Sequence, residues 1–297
     1  MSTGTDPLAP LAQLPGVPDA VAEVRKAVDR LYGHRVMRRR AAEVTSESAL
    51  RGARASAALA GADWPLEEVR RRSDFSAGHE SRTVGASLRI AAEAGQLLSI
   101  WRHSPLQVLA RLHLLAVGDA DPAAGRPRQA GEGVEALFPL ELKAAESVEV
   151  EAGPAGPVAE LPPAPGPEEV AARLDQLSRL LIARAEGQGV GTPALVVASV
   201  VHGELLALRP FGSHNGVIAR AAQRIVLIAE GLDPKSICPA EVGFAELGTD
   251  AYRRALAGYL AGTPEGLAAW IGHCGRALRL GVRESTAVCE AMQRGMV

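Results

Sequence analysis

Residues 209–220 read R-P-F-G-S-H-N-G-V-I-A-R, between an apolar run at 194–208 and a second helical run that stops at Gly231. A tight turn carrying Asn215-Gly216 and opening a helix is the geometry that a bound phosphate requires. The first amides of a helix beginning at residue 215 have no partner inside the helix and point into the turn. With the helix dipole they make an anion site. Gly216 lets the backbone approach a ligand closely. Arg220 follows one turn later on the same face, and its Cβ leans back towards the helix start, within reach of an anion held there. An ordinary inter-helix turn whose arginine pairs with a carboxylate would have the same features.

The bulk properties set wide bounds. With 297 residues the chain has room for one large domain or two small ones. Its net charge of −2 gives no global attraction to nucleic acid or an anionic membrane. Lysine occurs only at Lys26, Lys143 and Lys235, so most positive charge is arginine, as a GC-rich genome produces. Cys238, Cys274 and Cys289 are odd in number, far apart and without a C-x-x-C, which excludes a disulfide framework and points to a reducing cytoplasm. Residues 1–18 lack a signal-peptide pattern. The apolar run at 194–208 is interrupted by His202 and Glu204 and is shorter than the roughly 20 residues a bilayer needs.

Helical periodicity dominates. Val21, Val24, Val28 and Leu31 share one face, and Val170, Leu174, Leu177 and Leu181 another. Further helical segments are expected at 35–61, 81–101 and from Thr263-Pro264 onward. Ser104-Pro105-Leu106-Gln107 reads as a capping box opening a helix that Gly118 ends. After the 215–230 helix, Gly231 is a C-terminal stop. Residues 137–150 carry short β-like alternations such as Ser147-Val148-Glu149-Val150, and residues 151–166, with five prolines, read as a linker.

The order of residues in 209–220 resembles the signature of the Fic (Fido-domain) family, H-P-F-x-D/E-G-N-G-R-x-x-R. His202-Gly203-Glu204-Leu205 is similar to the H-x-E-L-x-x-I helix that precedes that signature. Residues 162–181 and 109–128 are similar to the family's earlier helices, so the resemblance covers roughly 105–231. It implies transfer of a nucleotide phosphate, usually AMP from ATP, to a protein hydroxyl. Pro210, Phe211, Asn215, Gly216 and Arg220 match the signature; the chemical positions do not. The base position holds Arg209, which accepts no proton at neutral pH. The Mg²⁺-ligand position holds Ser213, a neutral hydroxyl. His214 replaces the first glycine and Val217 the first arginine. Loss of a general base alone costs roughly 10²–10⁴-fold. His214 is the weak candidate for a substitute base.

Many Fic proteins carry an inhibitory helix, S/T-x-x-x-E-G/N, whose glutamate pairs with the last signature arginine. Ser56-Ala57-Ala58-Leu59-Ala60-Gly61 resembles it, with Ala60 at the glutamate position. An alanine cannot pair with Arg220, and a brake is dispensable where catalysis is lost.

Other motifs carry less. Arg35, Arg38, Arg39, Arg40, Arg51 and Arg54, with residues 70–72, lie near Glu43, Glu47, Glu67 and Glu68, which fits a solvated ion-paired face better than a nucleic-acid surface. His103 and His113 lack metal-ligand spacing, and Trp64, Trp101 and Trp270 read as packing residues.

These readings predict a mainly α protein: a Fido-like helical bundle with a small, flap-like β-hairpin. Residues 1–18 would be a flexible tail, 19–104 a helical region containing the inhibitory-like segment 56–61, and 105–297 a Fido-like domain. The expected function is that of a catalytically degenerate relative of protein adenylyltransferases, acting in regulation or protein interaction. Nucleotide or phosphate, with ATP the implied ligand, would bind at Ser213, Asn215, Gly216 and Arg220, and Mg²⁺ would not be held. The alternative is an active AMP transferase working through Arg209 or His214. A protein partner is expected, with homo-oligomers open; a membrane or nucleic-acid partner is not.

Overall fold

The computed structural model describes residues 6–118, 121–146, 148, 160–187 and 191–296. Among them lie twelve α-helices: α1 (Val17–Tyr32), α2 (Ala41–Leu59), α3 (Leu66–Arg71), α4 (His79–Glu93), α5 (Leu98–Trp101), α6 (Pro105–Val117), α7 (Pro167–Ala185), α8 (Ala194–Leu208), α9 (Asn215–Ala229), α10 (Ala240–Leu247), α11 (Thr249–Ala261) and α12 (Pro264–Gln293).

The sequence pattern explains which helices are central. α8 carries apolar residues around its circumference, broken mainly by His202 and Glu204, and such a helix is stable only inside the bundle. α9 packs along it and is buried from Val217 to Leu227. Around this pair, α12 packs on α1, α10, α11 and α8, while α2 packs on α4, α10 and α9, and α6 on α4 and α7. The main hydrophobic cluster runs from Leu8 to Met292, so the regions on either side of residue 104 share one core. α10 and α12 touch backbone to backbone at Gly243, where a Cβ would lie 1.9 Å from the Ala277 carbonyl oxygen.

Several helix ends follow the sequence. Val24, Val28 and Leu31 are buried on α1, as are Val170, Leu174, Leu177 and Leu181 on α7. Gly118 and Gly231 stop their helices with φ of 86° and 73°. The Thr263 hydroxyl caps α12 by accepting from the Gly266 amide at 3.1 Å.

Other expectations are corrected. From Asp6 on, the expected tail packs on the body: Leu8 and Ala12 are buried, and the Asp6 carboxylate pairs with Arg184 at 2.8 Å. Leu8, Leu11 and Leu14 recur every three residues, the spacing a 3₁₀ turn places on one face, and such a turn forms at Ala9–Gln13. The 35–61 segment divides into a 3₁₀ turn at Arg35–Arg38 and α2. The 81–101 segment breaks around Gly95 into α4 and α5. Ser104 precedes α6, but its side chain makes no capping bond, because the Gln107 amide donates to the Ser104 carbonyl.

No strand, and so no hairpin, occurs among the described residues. Of the β-like piece 147–150 only Val148 is described, and 151–159 also lie outside. The preceding segment spends its backbone groups on helix ends instead of a strand partner. The Glu135 amide donates to the Gly212 carbonyl (2.9 Å), the Thr249 amide to the Leu142 carbonyl (3.0 Å) and the Ala145 amide to the Glu246 carbonyl (2.8 Å). Residues 134–145 therefore form a strap across the bundle. No helix among the described residues is long and apolar enough to cross a membrane.

The α10–α12 contact is testable. Gly243→Ala forces backbone apart and should cost roughly 1–3 kcal/mol. Gly272→Ala, with nothing within 4 Å of its Cβ, should be neutral or stabilising by up to about 1 kcal/mol. Urea denaturation midpoints of the two variants check both.

Candidate functional site

The turn between α8 and α9 is built by its own side chains. Arg209 ends α8 in the left-handed conformation (φ 44°, ψ 62°), and His214 enters α9 at φ 59°. His214 thus adopts the backbone form that glycine takes most readily, in the position where the resembled signature has glycine. Asn215 closes the turn with both ends of its amide: Oδ1 accepts from the Phe211 amide at 3.0 Å and Nδ2 donates to the Phe211 carbonyl at 2.7 Å. Its side chain is 3% exposed, so it is fully committed to the fold.

Two upstream residues brace the turn from behind. The Arg128 amide donates to the Pro210 carbonyl at 2.8 Å, and its guanidinium donates to the carbonyls of Arg209 (2.9 Å) and Pro165. His113 stacks on Phe211 with ring centres 4.3 Å apart, and its Nδ1 accepts from the Gly125 amide at 3.1 Å. Burial, helped by the nearby His214, pushes the His113 pKa down to about 4.

The start of α9 already holds an anion from within the chain. The Glu135 carboxylate accepts from the His214 amide at 2.8 Å. The remaining cavity there is about 20 Å³, lined by Ala60, Thr83, Glu135, Leu137, His214 and Gly216, among others. Asn215 also lines it, whereas Arg209, Ser213 and Arg220 do not.

Arg220 lies back along Gly216, where a Cβ would come within 3.1 Å of its guanidinium. It is 2% exposed and donates to the hydroxyl and the carbonyl of Ser56, both at 2.9 Å. The end of α2 therefore reaches the site: Ser56 holds Arg220, Ala60 faces the cavity, and Gly61 lies under Pro139 of the strap. No carboxylate among the described residues pairs with Arg220. Below it, the Tyr252 hydroxyl and His202 Nε2 are 2.6 Å apart, and burial followed by the Arg220 charge depresses the His202 pKa.

The replaced positions sit as follows. The Arg209 guanidinium donates to the Pro162 carbonyl at 2.6 Å; burial and the Arg128 charge lower its pKa, yet it offers no lone pair. Ser213 Oγ and His214 Nδ1 are 2.9 Å apart. Burial lowers the His214 pKa, partly opposed by Glu135, which favours a neutral ring able to accept a proton. Among the described residues no group of three His, Cys, Asp or Glu side chains can hold a metal ion.

Solved structures share this arrangement of helices. A Fic family protein from Desulfovibrio desulfuricans superposes with a TM-score of 0.64 at 21% identity, covering 91% of this chain and 74% of that one. Fic-1 from C. elegans superposes at 0.57 with 14% identity, covering 91% and 71%. The chain has the Fic fold. No protein-family model matches the sequence, and no curated protein matches it. A Glu-to-Gly variant of the C. elegans Fic-1 superposes at 0.57 with 15% identity, covering 91% and 72%. Within the Fic fold here, sequence reasoning placed the turn and both flanking helices. It missed Glu135, which no motif marks, and Tyr252.

Two outcomes follow from the site. Ser56→Ala strips a hydrogen bond from a buried guanidinium and should cost roughly 1–3 kcal/mol, with part recovered by adding Arg220→Met; denaturant melts of the single and double variants check this. Unfolded histidine takes a proton near pH 6.5, but folded His113 stays neutral until about 4. Between those values the unfolded chain binds more protons, so stability falls as pH drops from 6.5 towards 4. Melting temperatures measured across that range should show a shallower fall for His113→Phe.

Proposed function

We propose that this chain is a Fic-fold protein that has lost AMP transfer and acts in regulation or protein interaction, keeping an anion seat at the start of α9. One observation carries the reading: the side chain at the base position, Arg209, spends its guanidinium on the Pro162 carbonyl and does not line the cavity. Ser213 supports it, since its hydroxyl sits against the His214 ring and offers no charge to a hard cation. The seat consists of the backbone around Asn215 and Gly216, with Arg220 behind it and Ser213 at its edge. ATP is the ligand the fold implies, and Mg²⁺ has no carboxylate in the signature turn to hold it. The partner is a protein. Three buried, unpaired cysteines fit a reducing cytoplasm.

A second reading, an active transferase with altered chemistry, is favoured by His214 alone. It lines the cavity, and its ring is held towards the neutral form.

The test is direct. Incubation with labelled ATP and lysate should give no label transfer by the natural protein. A variant carrying Arg209→His, Ser213→Asp, His214→Gly and Val217→Arg should gain transfer. Labelling by the natural protein that is abolished by His214→Ala would establish the second reading instead.

A further inference from the structure

We propose that Glu135 is a latch: its carboxylate occupies the seat of a phosphate-bearing ligand, and its release opens the strap to admit one. The inference rests on the anion-seat reading above and specifies how that seat is controlled. Glu135 grips the signature turn twice, through its carboxylate on the His214 amide and its own amide on the Gly212 carbonyl. An oxyanion on the amide of the residue that caps a helix start is the kind of contact a phosphate would make. The cavity that remains, about 20 Å³, is close to the volume of one water and far below that of a phosphate. A ligand phosphate and the Glu135 carboxylate carry like charge, so they cannot share the amide. Entry therefore requires displacement.

The strap is fixed more firmly at its other end. There the Leu142 amide donates to the Thr249 hydroxyl at 3.0 Å, besides the backbone bonds to Thr249 and Glu246. Phe138 packs edge-on against Tyr252 with ring centres 5.1 Å apart. On the upstream side Gly131 and Gly133 are exposed and have open space around them. Releasing the Glu135 carboxylate thus loosens the near end of the strap, where its amide on the Gly212 carbonyl and buried Leu137 remain, while the far end stays docked.

The experiment uses the full chain, natural and with Glu135→Ala or Glu135→Gln. Binding of inorganic pyrophosphate and of ATP is titrated calorimetrically, and amide exchange is followed over residues 134–141. Glu135→Ala should bind one or both probes at least roughly tenfold more tightly than the natural protein, with faster strap exchange before ligand is added. Glu135→Gln keeps the shape and an acceptor oxygen but loses the charge, and should fall between. Binding of ATP without pyrophosphate assigns a nucleotide to the seat; binding of both assigns the phosphate group alone. Equal affinity in natural protein and Glu135→Ala overturns the latch and leaves the seat standing. Unchanged strap exchange also overturns the latch. Faster exchange with no binding by any variant overturns the seat, and the latch with it.

Discussion

The geometry around the turn depends on two buried guanidiniums. Arg220 and Arg224 lie one turn apart on α9 and face α2, whose Ser48, Gly52 and Ser56 recur every four residues. Ser56 takes Arg220. Ser48 contributes to Arg224, which also holds Glu241 through bonds of 3.0 and 2.7 Å. Gly52 is the space between: a Cβ there would sit 2.4 Å from the Arg224 guanidinium. A buried guanidinium without hydrogen-bond partners is far costlier than a lost contact. The two arginines therefore fix both the distance and the register of α2 against α9. That register delivers Ser56, Ala60 and Gly61 to the signature turn.

The charge balance of this interior is uneven. Arg224 has a carboxylate; Arg220 has a hydroxyl and a carbonyl. Arg128 and Arg209, beside the turn, bond to backbone carbonyls. Adding the positive end of the α9 dipole, the turn is a cationic centre in a chain of nearly balanced charge. It adds to the depression of the His202 pKa, which burial sets first, since a second cation beside Arg220 is unfavourable. Capture of Glu135 by the His214 amide is a further consequence. The nearest acidic side chain that the strap can deliver settles where an anion is most stabilised.

How much of this was legible followed from the range of the interactions. Helices α1, α6, α7, α8 and α9 announced themselves through local periodicity and through Pro and Gly at their ends. The turn was recognisable because its residues act on neighbours a few positions away, as Asn215 does on Phe211. Short elements were lost. α10 buries Phe244 and Leu247 three residues apart and α11 buries Tyr252 and Leu256 four apart, spacings that can be read in retrospect, with Gly262 as a stop. Glu135 was illegible for a different reason. It meets its amide 79 positions away, and nothing in residues 134–145 encodes which helix end will be nearby. The alternation read as β at 147–150 lies, apart from Val148, outside the described residues, and the segment before it bonds to helix ends through Glu135, Leu142 and Ala145.

The partial signature divides cleanly by what each side chain does. Asn215 ties the turn to itself, Phe211 stacks on His113, the Pro210 carbonyl receives Arg128, Gly216 makes room for Arg220, and Arg220 locks onto α2. Every matching position makes a contact that the fold needs without any ligand present. Of the departing positions, Arg209 and Ser213 make none of comparable depth, the first reaching out to a neighbouring carbonyl and the second bonding to the residue beside it, while Val217 is buried in the core and the His214 amide holds Glu135. Replacing them changes chemistry and leaves the turn in place, even with His214 carrying a glycine's backbone conformation. A match to such a signature therefore reports the architecture of the turn. Reaction chemistry has to be read from Arg209, Ser213 and His214, and there the turn offers one neutral imidazole, an arginine turned away, and an anion already seated.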